Sequence, residues 1–172
     1  ISTLQRVIQA KSSLLAAHCS RVAQYCKTIG ALLKVNQVEM AHLTDAALIH
    51  DIGYVNVPNE IINRPGRLTN TELMCVRKTV EEGYKIVSSK DLFDLESIGK
   101  IIFCHMENFD GSGYPRGLKK QQIPRLSRIL GVANAYDAMT SPRPYQISLS
   151  HEQALEELKR CAGLEFDSDK AR

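Results

Sequence analysis

Apolar residues recur at steps of three and four along most of this chain, and that spacing limits the fold more than any other feature. Leu4, Val7, Ile8, Leu14, Leu15, His18, Val22, Cys26, Ile29 and Leu33 follow it first. It is the pattern of helices that bury one face. One or two helices ending near residues 34–36 are predicted. Met40, Leu43, Ala47 and His50 continue the spacing on a further helix starting near residues 37–39, with Gly53 as a natural stop.

Pro58 and Pro65 interrupt residues 56–66, which read as a loop with a short helical turn. Thr69 and Glu72 stand as a capping box, and Leu68 can staple onto Leu73, so a helix is predicted to about Ser88. Another is expected over 95–107, with Ile98, Ile101, Ile102 and His105 on one face. Residues 108–124 form a long Gly- and Pro-containing loop, and such a stretch is more often functional than idle. A helix follows over 125–139, then a proline-containing connection over 141–150. A last helix is capped by Ser150 and Gln153, runs to Cys161 and is ended by Gly163. No segment reads as a strand. The expected fold class is all-α, six or seven helices around one core.

Composition narrows the function. At 172 residues and 44% hydrophobic content the chain suits one domain with a proper core. Its net charge of +3 is small and its basic residues are scattered, which argues against a nucleic-acid partner. No apolar run approaches the roughly 18 residues of a membrane span. The five cysteines, Cys19, Cys26, Cys75, Cys104 and Cys161, are odd in number and form no C-x-x-C pair. A zinc ribbon or disulfide framework is therefore not expected, and they read as reduced packing residues. The chain starts inside a helical pattern, with no initiator Met and no signal-peptide architecture. It is expected to be a single cytoplasmic domain over 1–172, the C-terminal output part of a longer protein.

Several polar residues stand where burial is expected. His50 and Asp51 close an otherwise apolar helix, and an imidazole beside a carboxylate is costly to bury without a partner. A hard or borderline divalent cation is the usual partner for this ligand mix. His18 and His105 lie on apolar faces of two other predicted helices, so three histidines and an aspartate can converge in a bundle core. His42 and His151 lack that context and read as surface or packing residues. The run Asp110-Gly111-Ser112-Gly113-Tyr114-Pro115 offers backbone freedom and a rigid aromatic surface, and Arg143 offers a phosphate fork.

These elements occur in one order: His-x-x-Arg-Val-Ala at 18–23, His-Asp-x-Gly at 50–53, Asp-Gly-x-Gly-Tyr-Pro at 110–115 and Tyr-Asp-Ala-Met-Thr-Ser-x-Arg-Pro-Tyr at 136–145. The set closely resembles the HD-GYP family of the HD-domain metal-dependent phosphohydrolases, from His18 onward. The resemblance implies an HD-domain helical bundle with two or three metal ions that hydrolyses cyclic di-GMP, the metals activating water and stabilising phosphoryl charge. It implies His18, His50, Asp51 and His105 as metal ligands, with His50 and Asp51 the residual catalytic pair. Gly113, Tyr114, Pro115 and Arg143 would bind the ligand.

The correspondence has gaps. A family histidine is replaced by Thr79, and the His-His-Glu triplet reads His105-Met106-Glu107. Asn134 replaces a ligand aspartate and keeps only an uncharged carbonyl oxygen. Tyr54 and Gln146 replace lysines, and Leu14 stands where three-metal members carry a carboxylate. Thr79 is a poor ligand, and the Met106 thioether suits soft ions rather than hard ones. The expected cofactor is none, or one weakly bound divalent ion of the iron, manganese or nickel type. The favoured expectation is a catalytically impaired regulatory or interaction module, with cyclic di-GMP as ligand and diguanylate cyclase domains as partners of the Gly-Tyr-Pro loop. The alternatives are an active phosphodiesterase, working through one metal or through Glu107 and Asp137 as substitute ligands, and a sensor that binds cyclic di-GMP without cutting it.

Overall fold

The computed structural model describes residues 1–62, 64, 66–89, 95–142 and 148–167; Pro65, Arg143, Tyr145 and Gln146 lie outside the described residues. Among those described there are eight α-helices and no extended strand: α1 (Ser2–Lys11), α2 (Ser13–Leu32), α3 (Gln37–Ile49), α4 (Asn59–Ile62), α5 (Asn70–Val87), α6 (Glu96–Phe103), α7 (Arg125–Thr140) and α8 (His151–Arg160). Tight 3-10 turns occupy Ile52–Asn56 and Lys120–Gln122. The count exceeds six or seven because Ser12 divides the first helical stretch and α4 is a single turn.

Local chemistry sets these boundaries. Ser12 is extended, with φ −162 and ψ 121, and its side chain accepts from the Leu15 N–H, so α1 stops and α2 begins there. Asn36 caps α3 in the same way through the Glu39 N–H. The Thr69–Glu72 and Ser150–Gln153 capping boxes both form.

Two expected boundaries are corrected. The helix carrying His50 ends at Ile49 rather than at Gly53, and Gly53 lies inside the following 3-10 turn. The helix expected over 95–107 ends at Phe103, so His105 projects from a turn and not from a helical face. Leu14 is also off the apolar face, at 69% exposed.

The core is built by α2, α3, α6 and α7, through Val22, Cys26, Leu43, Ala46, Ala47, Ile49, Ile102, Ile129, Leu130 and Ala133. Complete burial of a valine, leucine or isoleucine side chain is worth about 1.5–3 kcal/mol. All five cysteines are free, four of them buried, and burial pushes the Cys26 thiol up to about 12. Among the described residues no helix is long and apolar enough to cross a membrane.

Candidate metal centre

The core helices deliver three imidazoles to one spot. His18 comes from the second turn of α2, His50 caps α3, and His105 follows α6. All three are buried, and the His18–His50 and His50–His105 ring centroids are each 5.2 Å apart. Asp51 sits beside them, with Oδ2 at 3.6 Å from His18 Nε2 and 3.5 Å from His50 Nε2. Donor atoms of His18, His50 and Asp51 lie within 4.8 Å of one another.

Each ring is oriented through its other nitrogen. His50 Nδ1–H donates to the Ala47 carbonyl at 2.8 Å, and His105 Nδ1–H to the Ile102 carbonyl at 2.6 Å. His18 Nδ1–H donates to Asp137 Oδ2 at 2.6 Å. Such outer partners fix the tautomer and leave Nε2 as a lone-pair donor. His50 Nε2 is buried without a hydrogen-bond partner, the arrangement that a cation would satisfy. The 3.5 and 3.6 Å separations are close to the roughly 3.4 Å between two ligand atoms around a tetrahedral ion. A single divalent cation held by His18, His50 and Asp51 fits these residues, and when bound it would supply Lewis-acid polarisation of a phosphoryl oxygen.

Asp137 is fully buried in α7 and also receives Arg21, with Nε to Oδ1 at 2.7 Å and NH2 to Oδ2 at 2.9 Å. Burial alone would raise its pKa, but hydrogen bonds from His18 and Arg21, with the Arg21 charge beside them, hold the carboxyl well below the usual range. Asp137 is therefore occupied in positioning His18 and is not free as a substitute ligand. Sequence reasoning missed this role, and Arg21 with it. The signal was present in the Arg of His-x-x-Arg and the Asp of Tyr-Asp-Ala, but 116 residues separate the pair.

Thr79, Met106 and Asn134 are engaged by other groups. The Thr79 hydroxyl donates to the Val76 carbonyl at 2.6 Å. Asn134 Nδ2 lies 3.7 Å from Met106 Sδ, and both side chains line a cavity of about 220 Å³ between α7, the 105–107 turn and residues 165–167. Beyond His105, neither Thr79 nor Met106 offers a donor for a hard ion. With neutral imidazoles, Asp51 is the one charged ligand in the cluster. A second dication does not fit this donor set.

The same turn anchors the Gly-Tyr-Pro loop. Glu107 is buried, at 7% exposed, and its two oxygens accept from the Arg116 N–H at 2.7 Å and the Leu118 N–H at 2.9 Å. It too is committed, to the loop rather than to metal. The Tyr114 N–H donates to the Met106 carbonyl at 3.1 Å. Gly113 is required by close approach, since a Cβ there would meet the Asn108 nitrogen at 2.1 Å. Tyr114 packs against Arg77 of α5, and its hydroxyl is pushed up to about 12, chiefly by burial. Tyr54 and Pro115 are half-buried; Arg143 and Gln146 lie outside the described residues. His42 is half-buried, while His151 is exposed and 2.7 Å from the Tyr136 hydroxyl.

Two outcomes follow for this centre. Glu107→Gln is expected to cost about 1–3 kcal/mol in urea unfolding, because one loop N–H loses its acceptor. Faster proteolysis between residues 109 and 118 would accompany it, and an unchanged unfolding midpoint would show the anchor to be idle. The second concerns pH. Burial lowers His50, and burial followed by the His50 charge lowers His105 to about 4. An unfolded histidine titrates near about 6.5, so between that value and the folded pKa the unfolded chain binds more protons. Stability of chelator-treated protein is present above that window and is lost as pH falls through it. Urea midpoints measured from about pH 7.5 down to about pH 4.5 check this, and a flat profile would contradict it.

Comparison with known proteins agrees with the motifs and the fold. The HD domain family matches residues 2–169. A 3′3′-cGAMP-specific phosphodiesterase of Vibrio cholerae is 32% identical over 167 residues, covering 97% of this chain and 32% of that protein. A cyclic di-GMP phosphodiesterase of Thermotoga maritima is 35% identical over 146 residues, covering 85% of this chain and 40% of that protein. The chain thus spans about a third to two fifths of these relatives. Among solved structures, an HDG"Y"P protein from Bdellovibrio bacteriovorus superposes with a TM-score of 0.75 at 23% identity, covering 91% of this chain and 49% of that one. With the His-Asp pair and the Gly-Tyr-Pro loop placed as described, the chain belongs to the HD domain family.

Proposed function

We propose that this HD-GYP domain serves cyclic dinucleotide signalling in the cytoplasm as a regulatory module, with two-metal hydrolysis impaired. Its ligand is a cyclic dinucleotide of the cyclic di-GMP type, the chemistry named for its relatives. One observation carries the reading. Thr79 and Met106 bring no hard donor to the His105 side, and Asn134 brings no charge to the His18–His50–Asp51 cluster, which can hold one ion. That ion, of the iron, manganese or nickel type, is bound weakly because Asp51 is the one charged ligand. The Gly113-Tyr114-Pro115 loop, with Ser112 and Arg116 exposed at its edge, is the surface assigned to a diguanylate cyclase domain.

Elemental analysis of protein purified without chelator, paired with turnover of cyclic di-GMP and 3′3′-cGAMP, tests this. At most one ion per chain, with turnover no greater than that of His50→Ala, is expected. Two ions per chain with turnover above that control would overturn it. The intact His18–His50–Asp51 cluster favours a second reading, an active phosphodiesterase working through one ion. One ion together with turnover above the control would select it.

A further inference from the structure

We infer that Arg77 is a phosphate-binding residue of this domain, presenting its guanidinium beside Tyr114 to a phosphodiester of the ligand. The assignment rests on the reading of the chain as a cyclic dinucleotide domain.

The argument begins with where Arg77 sits. It lies on α5, two residues before Thr79, and its guanidinium carbon is 5.3 Å from the centroid of the Tyr114 ring. That contact joins α5 to a loop already held by Glu107 and by the Met106 carbonyl. The Tyr114 hydroxyl is within the fields of both Arg77 and Asp51. Arg77 therefore stands at the edge of the Gly-Tyr-Pro loop.

Among the described residues its donors have no protein acceptor. Arg21 is paired with Asp137, Arg64 with Glu72, Arg128 with Asp167 and Arg160 with Glu157. Among the described residues Arg77 has no carboxylate within ion-pair distance; an aromatic face holds it in place. A cation–π contact steadies the charge while leaving the planar N–H fork to meet an oxyanion in two-point fashion.

Charge balance points the same way. A cyclic dinucleotide carries two phosphodiester charges. One cation at His18, His50 and Asp51 can face one of them. The other needs a positive charge of its own. Arg77 supplies it from α5.

Calorimetric titration of the whole chain with cyclic di-GMP and with 3′3′-cGAMP, at two salt concentrations, decides the matter. Arg77→Gln is expected to weaken binding by about 10- to 100-fold and to make the salt dependence shallower. Arg77→Lys keeps the charge without the fork and should fall between the two, which also covers the case of a poorly folded glutamine variant. Lys85→Gln, an exposed lysine of the same helix paired with Glu82, should bind as the wild type does. Equal binding by wild type and Arg77→Gln overturns the Arg77 assignment and leaves the reading of the domain standing. Weaker binding with an unchanged salt slope also overturns it, because Arg77 would then act only through Tyr114. Absence of binding by the wild type at millimolar ligand removes the reading itself, and the assignment with it.

Discussion

The combined variant Thr79→His, Met106→His and Asn134→Asp is expected to raise metal content from at most one ion per chain to two, and turnover of cyclic di-GMP by two orders of magnitude or more. Each change addresses a group now spent elsewhere. The Thr79 hydroxyl is tied to the Val76 carbonyl at 2.6 Å, and Asn134 and Met106 meet each other at 3.7 Å. The substitutions supply two imidazoles and a carboxylate, the donors that a hard or borderline dication requires. A second ion contributes several kcal/mol of transition-state stabilisation, and about 1.4 kcal/mol is a factor of ten in rate. The new histidine at 79 enters a site only 6% exposed, so part of the gain is offset by an overpacking cost of about 1–3 kcal/mol. Plasma mass spectrometry of the purified variant reads the ion count. Unchanged occupancy would show that these three positions do not face the cluster as ligands.

Gly53→Ala is expected to be strongly destabilising. An added Cβ would lie 1.9 Å from the Thr79 carbonyl oxygen, 2.7 Å from its carbon and 2.9 Å from the Gly83 nitrogen. All three are backbone atoms, so no side chain can swing aside. The turn Ile52–Asn56 would have to part from α5, taking Asp51 away from His18. The loss should exceed the roughly 1–3 kcal/mol of ordinary overpacking, against a total stability of about 5–15 kcal/mol. Gly66→Ala is the comparison. Gly66 has φ +97 and nothing within 4 Å of an added Cβ, so only backbone strain of about 1–2 kcal/mol is at stake. Urea unfolding of both variants checks the difference. Equal losses would contradict the close approach of the turn to α5.

Both expectations separate what local pattern could reveal from what it could not. Apolar spacing, Ser12, Asn36 and the two capping boxes are short-range signals, and helix boundaries follow them closely. Gly53 was read as a helix stop because glycine so often is one. Its actual constraint comes from α5, and no local pattern reports a contact made by another element. The end of α6 at Phe103 was likewise hidden, since Ile101, Ile102 and His105 fit a longer helix equally well. For the centre, ordered motifs brought His18, His50 and Asp51 to attention together. The pairing of Asp137 with His18 and Arg21, the contact of Asn134 with Met106 and the grip of Glu107 on residues 116 and 118 are long-range or loop-specific. Periodicity cannot show them.

The turn at 105–107 couples the buried histidines to the Gly-Tyr-Pro loop. Its first residue faces the imidazole cluster, its second offers a carbonyl to Tyr114, and its third clasps the backbone at 116 and 118. Interior and rim are thus consecutive beads on one string. A shift of the His105 ring would pass along the backbone to the carbonyl that holds Tyr114 and to the carboxylate that holds residues 116 and 118. Through three adjacent residues, a displacement in the interior becomes a displacement at the rim.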